Sequence, residues 1–156
     1  RWTMSILLFD TSAIAKRYMP EVGTKWIRIQ TASSSGNDVI IAKVTPVEFY
    51  SAISRQYHDG VIDLVRLQAF RRLFLHHVKK QYLMTELSTS IVTRALDLQE
   101  NHRLRAYDAI QLASAHELNL RLITKGTPLI FITADNRLLT AANAIGLNTD
   151  DPNNHP

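Results

Sequence analysis

The sequence predicts an α/β fold with a central, mostly parallel sheet and helices on both faces. Three observations lead there. Short unbroken apolar runs, of the kind buried on both faces of a parallel sheet, recur along the chain. Residues that start helices follow them directly. Between them lie stretches whose apolar residues recur at three- and four-residue steps, as one face of a helix requires.

The first run, Ser5-Ile6-Leu7-Leu8-Phe9, stops at Asp10-Thr11-Ser12, all N-cap types, so a strand passes straight into a helix. A second helix follows Pro20, from about Val22 to Thr31, and Ser33-Ser34-Ser35-Gly36-Asn37 is a loop. Val39-Ile40-Ile41-Ala42 is the next buried strand. Thr45-Pro46-Val47-Glu48 then opens a helix, with Thr45 as N-cap and Pro46 at the first helical position. From Val61 to Val78, the residues Val61, Leu64, Val65, Phe70, Leu73, Phe74 and Val78 define a long amphipathic helix. Tyr82-Leu83-Met84 adds a short strand. Helices follow from Thr89 to about Asn101 and from Ala106 to Leu118, where Ala106, Ala109, Ala113 and Ala115 permit close helix packing. Leu129-Ile130-Phe131-Ile132 is the third buried strand, and Thr133-Ala134-Asp135 opens a last helix that ends near Gly146.

A chain of 156 residues is the length of one domain, which we place at 4–150. Residues 1–3 precede Met4, the expected native start, and read as a remnant of expression; residues 151–156 read as a loose tail. With 46% hydrophobic and 21% charged side chains, the composition excludes collagenous, low-complexity and disordered classes. No apolar run approaches the ~20 residues that cross a bilayer, so no membrane role is expected. The absence of Cys excludes disulfides, zinc–thiolate sites, iron–sulfur clusters and thiol catalysis, and it fits a cytoplasmic protein. Eighteen Lys and Arg against fourteen Asp and Glu give +4, a bias that suits a polyanionic partner.

Acidic residues recur at one architectural location. Asp10 follows the first strand, Glu48 lies in the first helical turn after the second, Asp108 opens a later helix and Asp135 follows the third strand. In an open parallel sheet these positions converge on one crevice. Each acid also suits a helix start, where it accepts backbone N–H bonds and complements the dipole, so capping is the structural alternative. If the four cluster, their repulsion raises some pKa values unless a cation neutralises them. Carboxylates, the Thr11 and Ser12 hydroxyls and water, without thiolates, favour Mg²⁺ or Mn²⁺ over Zn²⁺. Phosphodiester hydrolysis is the chemistry such a site performs.

Four segments carry a family resemblance. They are Phe9-Asp10-Thr11-Ser12-Ala13-Ile14-Ala15-Lys16-Arg17-Tyr18, Val47-Glu48, Leu104-Arg105-Ala106-Tyr107-Asp108-Ala109-Ile110-Gln111-Leu112-Ala113, and Phe131-Ile132-Thr133-Ala134-Asp135-Asn136-Arg137-Leu138-Leu139. In this order and spacing the chain resembles PIN-domain nucleases, most of all the VapC-type toxins of bacterial toxin–antitoxin pairs, from about Met4 to Leu147. The resemblance implies a three-layer α/β/α fold and a metal-dependent endoribonuclease. It implies Asp10, Glu48, Asp108 and Asp135 as catalytic, metal-binding acids, with Thr11 or Ser12 assisting. It further implies a cognate antitoxin and a homodimer. Asn136-Arg137 departs from relatives that carry a further acid there, which leaves one ion or two open.

Lys16 and Arg105 are the first choices to hold an RNA backbone near a negative cleft, ahead of Arg17, Arg55 and Arg103. Adjacent residues do not share a helix face, so His76-His77 reads as surface or interface rather than a metal pair. Trp26, Tyr50, Tyr57, Phe70 and Phe74 read as core or partner contacts before base-stacking platforms. Two other classes stay open on the residues alone. One is an aspartate-based phosphatase or phosphotransfer domain using Asp10 as nucleophile, against which Ser12 occupies the place of a second acid. The other is a non-catalytic interaction module whose acids are only caps.

Overall fold

The computed structural model describes residues 4–156, so the reading of residues 1–3 lies outside the described residues. Five strands are β1 (Ile6–Phe9), β2 (Asp38–Ala42), β3 (Leu83–Thr85), β4 (Ile130–Ile132) and β5 (Asn148–Asp150). Seven α-helices connect them: α1 (Thr11–Ile14), α2 (Thr24–Thr31), α3 (Thr45–His58), α4 (Leu64–Lys80), α5 (Thr89–Asn101), α6 (Ala106–Ile123) and α7 (Asn136–Ala144). The strands form one sheet in the order β3-β2-β1-β4-β5, every pairing parallel.

Alternation along the strands makes three layers, because successive strand side chains point to opposite faces. Leu7 and Phe9 of β1, Val39 and Ile41 of β2 and Ile132 of β4 share one core with Ile14, Ile27, Phe49, Leu67 and Phe74 from α1 to α4. Leu8, Ile40 and Phe131 share the other with Ile91, Leu98, Leu112 and Leu138 from α5 to α7. Central strands buried on both faces are why the sequence shows unbroken apolar runs there. Alanines at 109, 113 and 115 are fully buried, which lets α6 lie close against its neighbours.

Several boundaries differ from the sequence reading. Val61 precedes α4, whose N-cap is Asp63, and α6 extends to Ile123. Thr45 is not an N-cap; Val44 holds that position without a side-chain bond, and the Thr45 hydroxyl is occupied elsewhere. Strand β5 was unexpected because Asn148-Thr149-Asp150 is polar, which an edge strand tolerates. The tail expected to be loose is packed. Pro152 is buried, the His155 ring stacks on Trp26 at 4.1 Å, and its Nε2 lies 2.8 Å from Asp150 Oδ1. Gly23, with φ 88°, makes room for this tail, since a Cβ there would strike the Pro152 carbonyl. Among the described residues no helix is long and apolar enough to cross a membrane.

Candidate active site

A cleft of about 570 Å³ opens where β1 and β2 end and the helices α3 and α6 begin. Asp10, Thr11, Ser12, Glu48, Arg105, Asp108 and Asp135 line it, together with Arg55, Tyr107 and Gln111. The four acids, far apart in sequence, meet because each lies just after a strand or in the first turn of a helix at one end of the sheet.

Asp10 is the deepest of them, 3% exposed at the end of the central strand. Its carboxylate caps α1 by accepting from Ala13 N at 2.9 Å, and it accepts from Ser12 Oγ at 2.7 Å and from Thr133 Oγ1 at 2.7 Å. Burial nevertheless pushes its pKa up to about 7; these hydrogen bonds pull the other way, and the Asp108 charge adds to the rise. Asp108, in the first turn of α6, is raised as well, by burial first and then by Asp135 and Glu48, with Arg105 and Arg137 opposing. Asp135 and Glu48 therefore act on Asp108, and Asp108 acts on Asp10, so the acids share one electrostatic field.

The capping alternative holds for half of the set and does not compete with the cleft. Asp135 caps α7 through Oδ1, accepting from Arg137 N at 2.8 Å and Leu138 N at 3.1 Å, while it also faces the cleft. Glu48 and Asp108 lie in first turns without serving as N-caps. Glu48 Oε1 instead accepts from Thr11 Oγ1 and from Gln111 Nε2, both at 2.9 Å.

Lys16 does not reach this cleft. It is 5% exposed, its Nζ pairs with Glu21 Oε1 at 3.1 Å, and the turn following α1 carries it into the interior. Arg105 is exposed on the cleft wall, and Arg55 joins it. Arg103 lies in the adjoining hollow with His102 and Arg137. His77 is not a surface residue in the sense expected: its Nδ1 lies 2.7 Å from the Tyr18 hydroxyl. Phe74, 2% exposed, is core.

Sequence reasoning missed Thr133 and Gln111. Thr133, fully buried, links Asp10 to the Asp135 loop by donating to Asp10 and accepting from Asp135 N at 3.1 Å. Gln111 is 1% exposed and its Nε2 contacts Thr11 and Glu48 of the cleft and Thr45, yet its Oε1 is buried with no partner. An orphaned carbonyl of that kind costs about 1–3 kcal/mol. A polar residue amid the buried Ala109, Leu112 and Ala113 was the one signal for it.

Among the described residues no three His, Asp or Glu side chains converge tightly enough to chelate one ion directly. The donor chemistry nonetheless fits a hard divalent cation. The set is all oxygen, and the carboxyls of Asp10 and Asp108 are held up by burial and by neighbouring negative charge, both of which a cation in the cleft would offset.

The model of the PIN domain matches residues 7–142. No curated protein matches the sequence. Among solved structures, the chain is similar to PAE2754 from Pyrobaculum aerophilum, with TM-score 0.64 and 15% identity over 97% of this chain and 86% of that one. It is similar to a toxin-antitoxin complex from Klebsiella pneumoniae, with TM-score 0.59 and 18% identity over 94% and 97% of the two chains. The same shares are covered with FitAcB from Neisseria gonorrhoeae, at TM-score 0.60 and 12% identity. At such identities these likenesses speak for the fold.

Proposed function

The chain belongs to the PIN-domain family, and on that premise we propose that it is a metal-dependent endoribonuclease, the toxin of a toxin–antitoxin pair, acting in the cytoplasm. PIN domains are generally nucleases that use divalent metal ions. The observation that carries the reading is the gathering of Asp10, Glu48, Asp108 and Asp135 around one cleft whose wall also bears Arg55 and Arg105.

Asp10, Glu48, Asp108 and Asp135 would hold Mg²⁺ or Mn²⁺, with Thr11 and Ser12 assisting. When bound, such an ion supplies positive charge that polarises a phosphoryl oxygen and offsets charge on the leaving oxygen. The chain's own residues do the rest. Ser12 and Thr133 fix both Asp10 oxygens by donating to them. Thr11 donates to Glu48 and holds that carboxylate against the cleft wall. Exposed Arg105 and Arg55 take the phosphates of the RNA strand on either side of the cut, where negative charge would otherwise repel it.

The partners of this reading are an antitoxin and a second copy of the chain. The antitoxin places an apolar anchor beside the cleft and a basic side chain toward Asp10 and Asp108, replacing the cation's charge. The homodimer forms through helix faces. With Phe74 in the core, the exposed Val65, Leu73 and Leu75 of α4 and Ile29 of α2 supply the apolar surface.

The test is cleavage of defined RNAs by the purified protein, with end-mapping of the products. Cutting that requires Mn²⁺ or Mg²⁺ and stops with chelator is expected; folded protein that leaves every RNA intact in millimolar Mn²⁺ overturns the assignment. Light scattering that reports a monomer at assay concentration removes the dimer. An adjacent-gene product that fails to co-purify removes the antitoxin.

A further inference from the structure

We infer that Gln111 is a positioning residue of the cleft, whose side-chain amide sets the Glu48 carboxylate and the Thr11 hydroxyl for a divalent cation. The inference rests on the metal-dependent reading above and adds a residue that is neither an acid nor a ligand.

Gln111 sits one turn after Asp108 on α6, so both side chains face the cleft from the same side of that helix. Its Nε2 lies 2.9 Å from Glu48 Oε1, 2.9 Å from Thr45 Oγ1 and 3.1 Å from Thr11 Oγ1. Two N–H groups thus serve three acceptors drawn from α1 and α3, tying both helices to α6. Thr11 Oγ1 uses its own proton on Glu48 Oε1, which leaves its lone pairs for Gln111. The amide orientation follows: turned over, Gln111 Oε1 would face Glu48 Oε1, acceptor against acceptor.

That orientation leaves Gln111 Oε1 buried with no partner. A leucine or methionine would fill the same space without an orphaned oxygen. A sequence that keeps the amide despite this cost is using its N–H groups, and what they reach is the wall of the cleft. Thr45 explains itself in the same way. It is fully buried, does not line the cleft, and accepts from the same Gln111 Nε2 that serves Glu48, at 2.9 Å. Two oxygens that a cation needs are therefore aimed by a residue that does not touch the cation.

The decisive variants are Gln111→Met, which keeps volume and removes the N–H groups, and Thr45→Val, which removes one support without altering the cleft lining. Mn²⁺ binding is measured by calorimetry on proteins whose fold is checked by circular dichroism. Gln111→Met is expected to weaken Mn²⁺ by about 10–100-fold and to lower kcat while leaving KM for RNA near wild type. Thr45→Val should give a smaller loss in the same direction, and Thr45→Ser, which restores the hydroxyl, should recover wild-type affinity. If Gln111→Met does not fold, the contrast between valine and serine at 45 decides. Unchanged Mn²⁺ affinity in folded Gln111→Met, or in both variants at 45, overturns the inference while the metal-dependent reading stands. Wild type that binds no Mn²⁺ overturns that reading, and this inference with it.

Discussion

Two buried polar networks leave the end of β1, and they settle their charges in opposite ways. On the cleft side, Asp10 accepts three well-placed side-chain and backbone bonds, yet burial still pushes its pKa up to about 7, so near neutrality it is poised between two states. On the α4 side, Tyr18 contacts His77 Nδ1 at 2.7 Å and Tyr82 Oη at 2.5 Å, and Arg17 donates to Tyr82 at 2.9 Å and to Gln81 at 2.8 Å. There burial raises both tyrosine hydroxyls and lowers His77 to about 4, so near neutrality these three groups are uncharged. A network of this kind is settled when its titratable groups end neutral and bonded and its one cation, the Arg17 guanidinium, has acceptors. It is unsettled where negative charges must face each other. The first holds the fold together; the second is kept for what enters the cleft.

The sharpest way to break this contrast is Asp10→Asn. It should lower RNA cleavage by at least about 100-fold, since a charge aimed at the reaction is gone. Without metal it should raise the stability of the protein above pH 7 by about 2 kcal/mol, since a buried charge has been removed while the capping oxygen remains. Wild-type cleavage by the folded variant would end the comparison, and a lowered melting temperature would show that the Asp10 network is as settled as the other.

A second effect is pH dependence of the metal-free protein. Asp10 binds its proton more tightly folded than unfolded, from 3.8 to about 7, so its contribution is fully present below about pH 4 and is lost as pH rises to about 7. His77 is the reverse, 6.5 unfolded and about 4 folded, so its contribution is present above about pH 6.5 and lost as pH falls toward 4. The two slopes oppose each other across one window, each with a ceiling of ~1.4 kcal/mol per pH unit, and less for the partly exposed His77. Urea melts of Asp10→Asn should expose the rising limb, and those of His77→Gln the falling one. Parallel wild-type profiles in both would refute the assignment.

The smallest effect expected is Tyr82→Phe, which removes a hydroxyl that serves Tyr18 and Arg17 and should cost about 1–2 kcal/mol of stability with cleavage unchanged. Lost cleavage at intact fold would couple the two networks.

Much of this was legible in the chain because buried parallel strands write unbroken apolar runs, and because strand-to-helix junctions put Asp10, Glu48 and Asp135 at recognisable places. Other parts left little one-dimensional signature. Lys16 lies six residues from Asp10 in sequence, but α1 and the turn after it rotate it away into a pair with Glu21. Gln111 looks like any polar residue of a helix until α1 and α3 bring Thr11, Thr45 and Glu48 to it. His77 belongs to a network whose partners, Tyr18 and Tyr82, come from other elements. Strand β5 contains no apolar residue at all, and its place is set by pairing with β4.

The sheet's margins carry a consequence for aggregation. Both outer strands, β3 and β5, are three residues long. A stray strand docking on either would gain only a few main-chain bonds, too little to offset the entropy of ordering it. Fibril growth by strand addition therefore finds no template here, even though the central strands are as apolar as those of many aggregation-prone segments. The chain can keep such strands at its centre because its borders are brief.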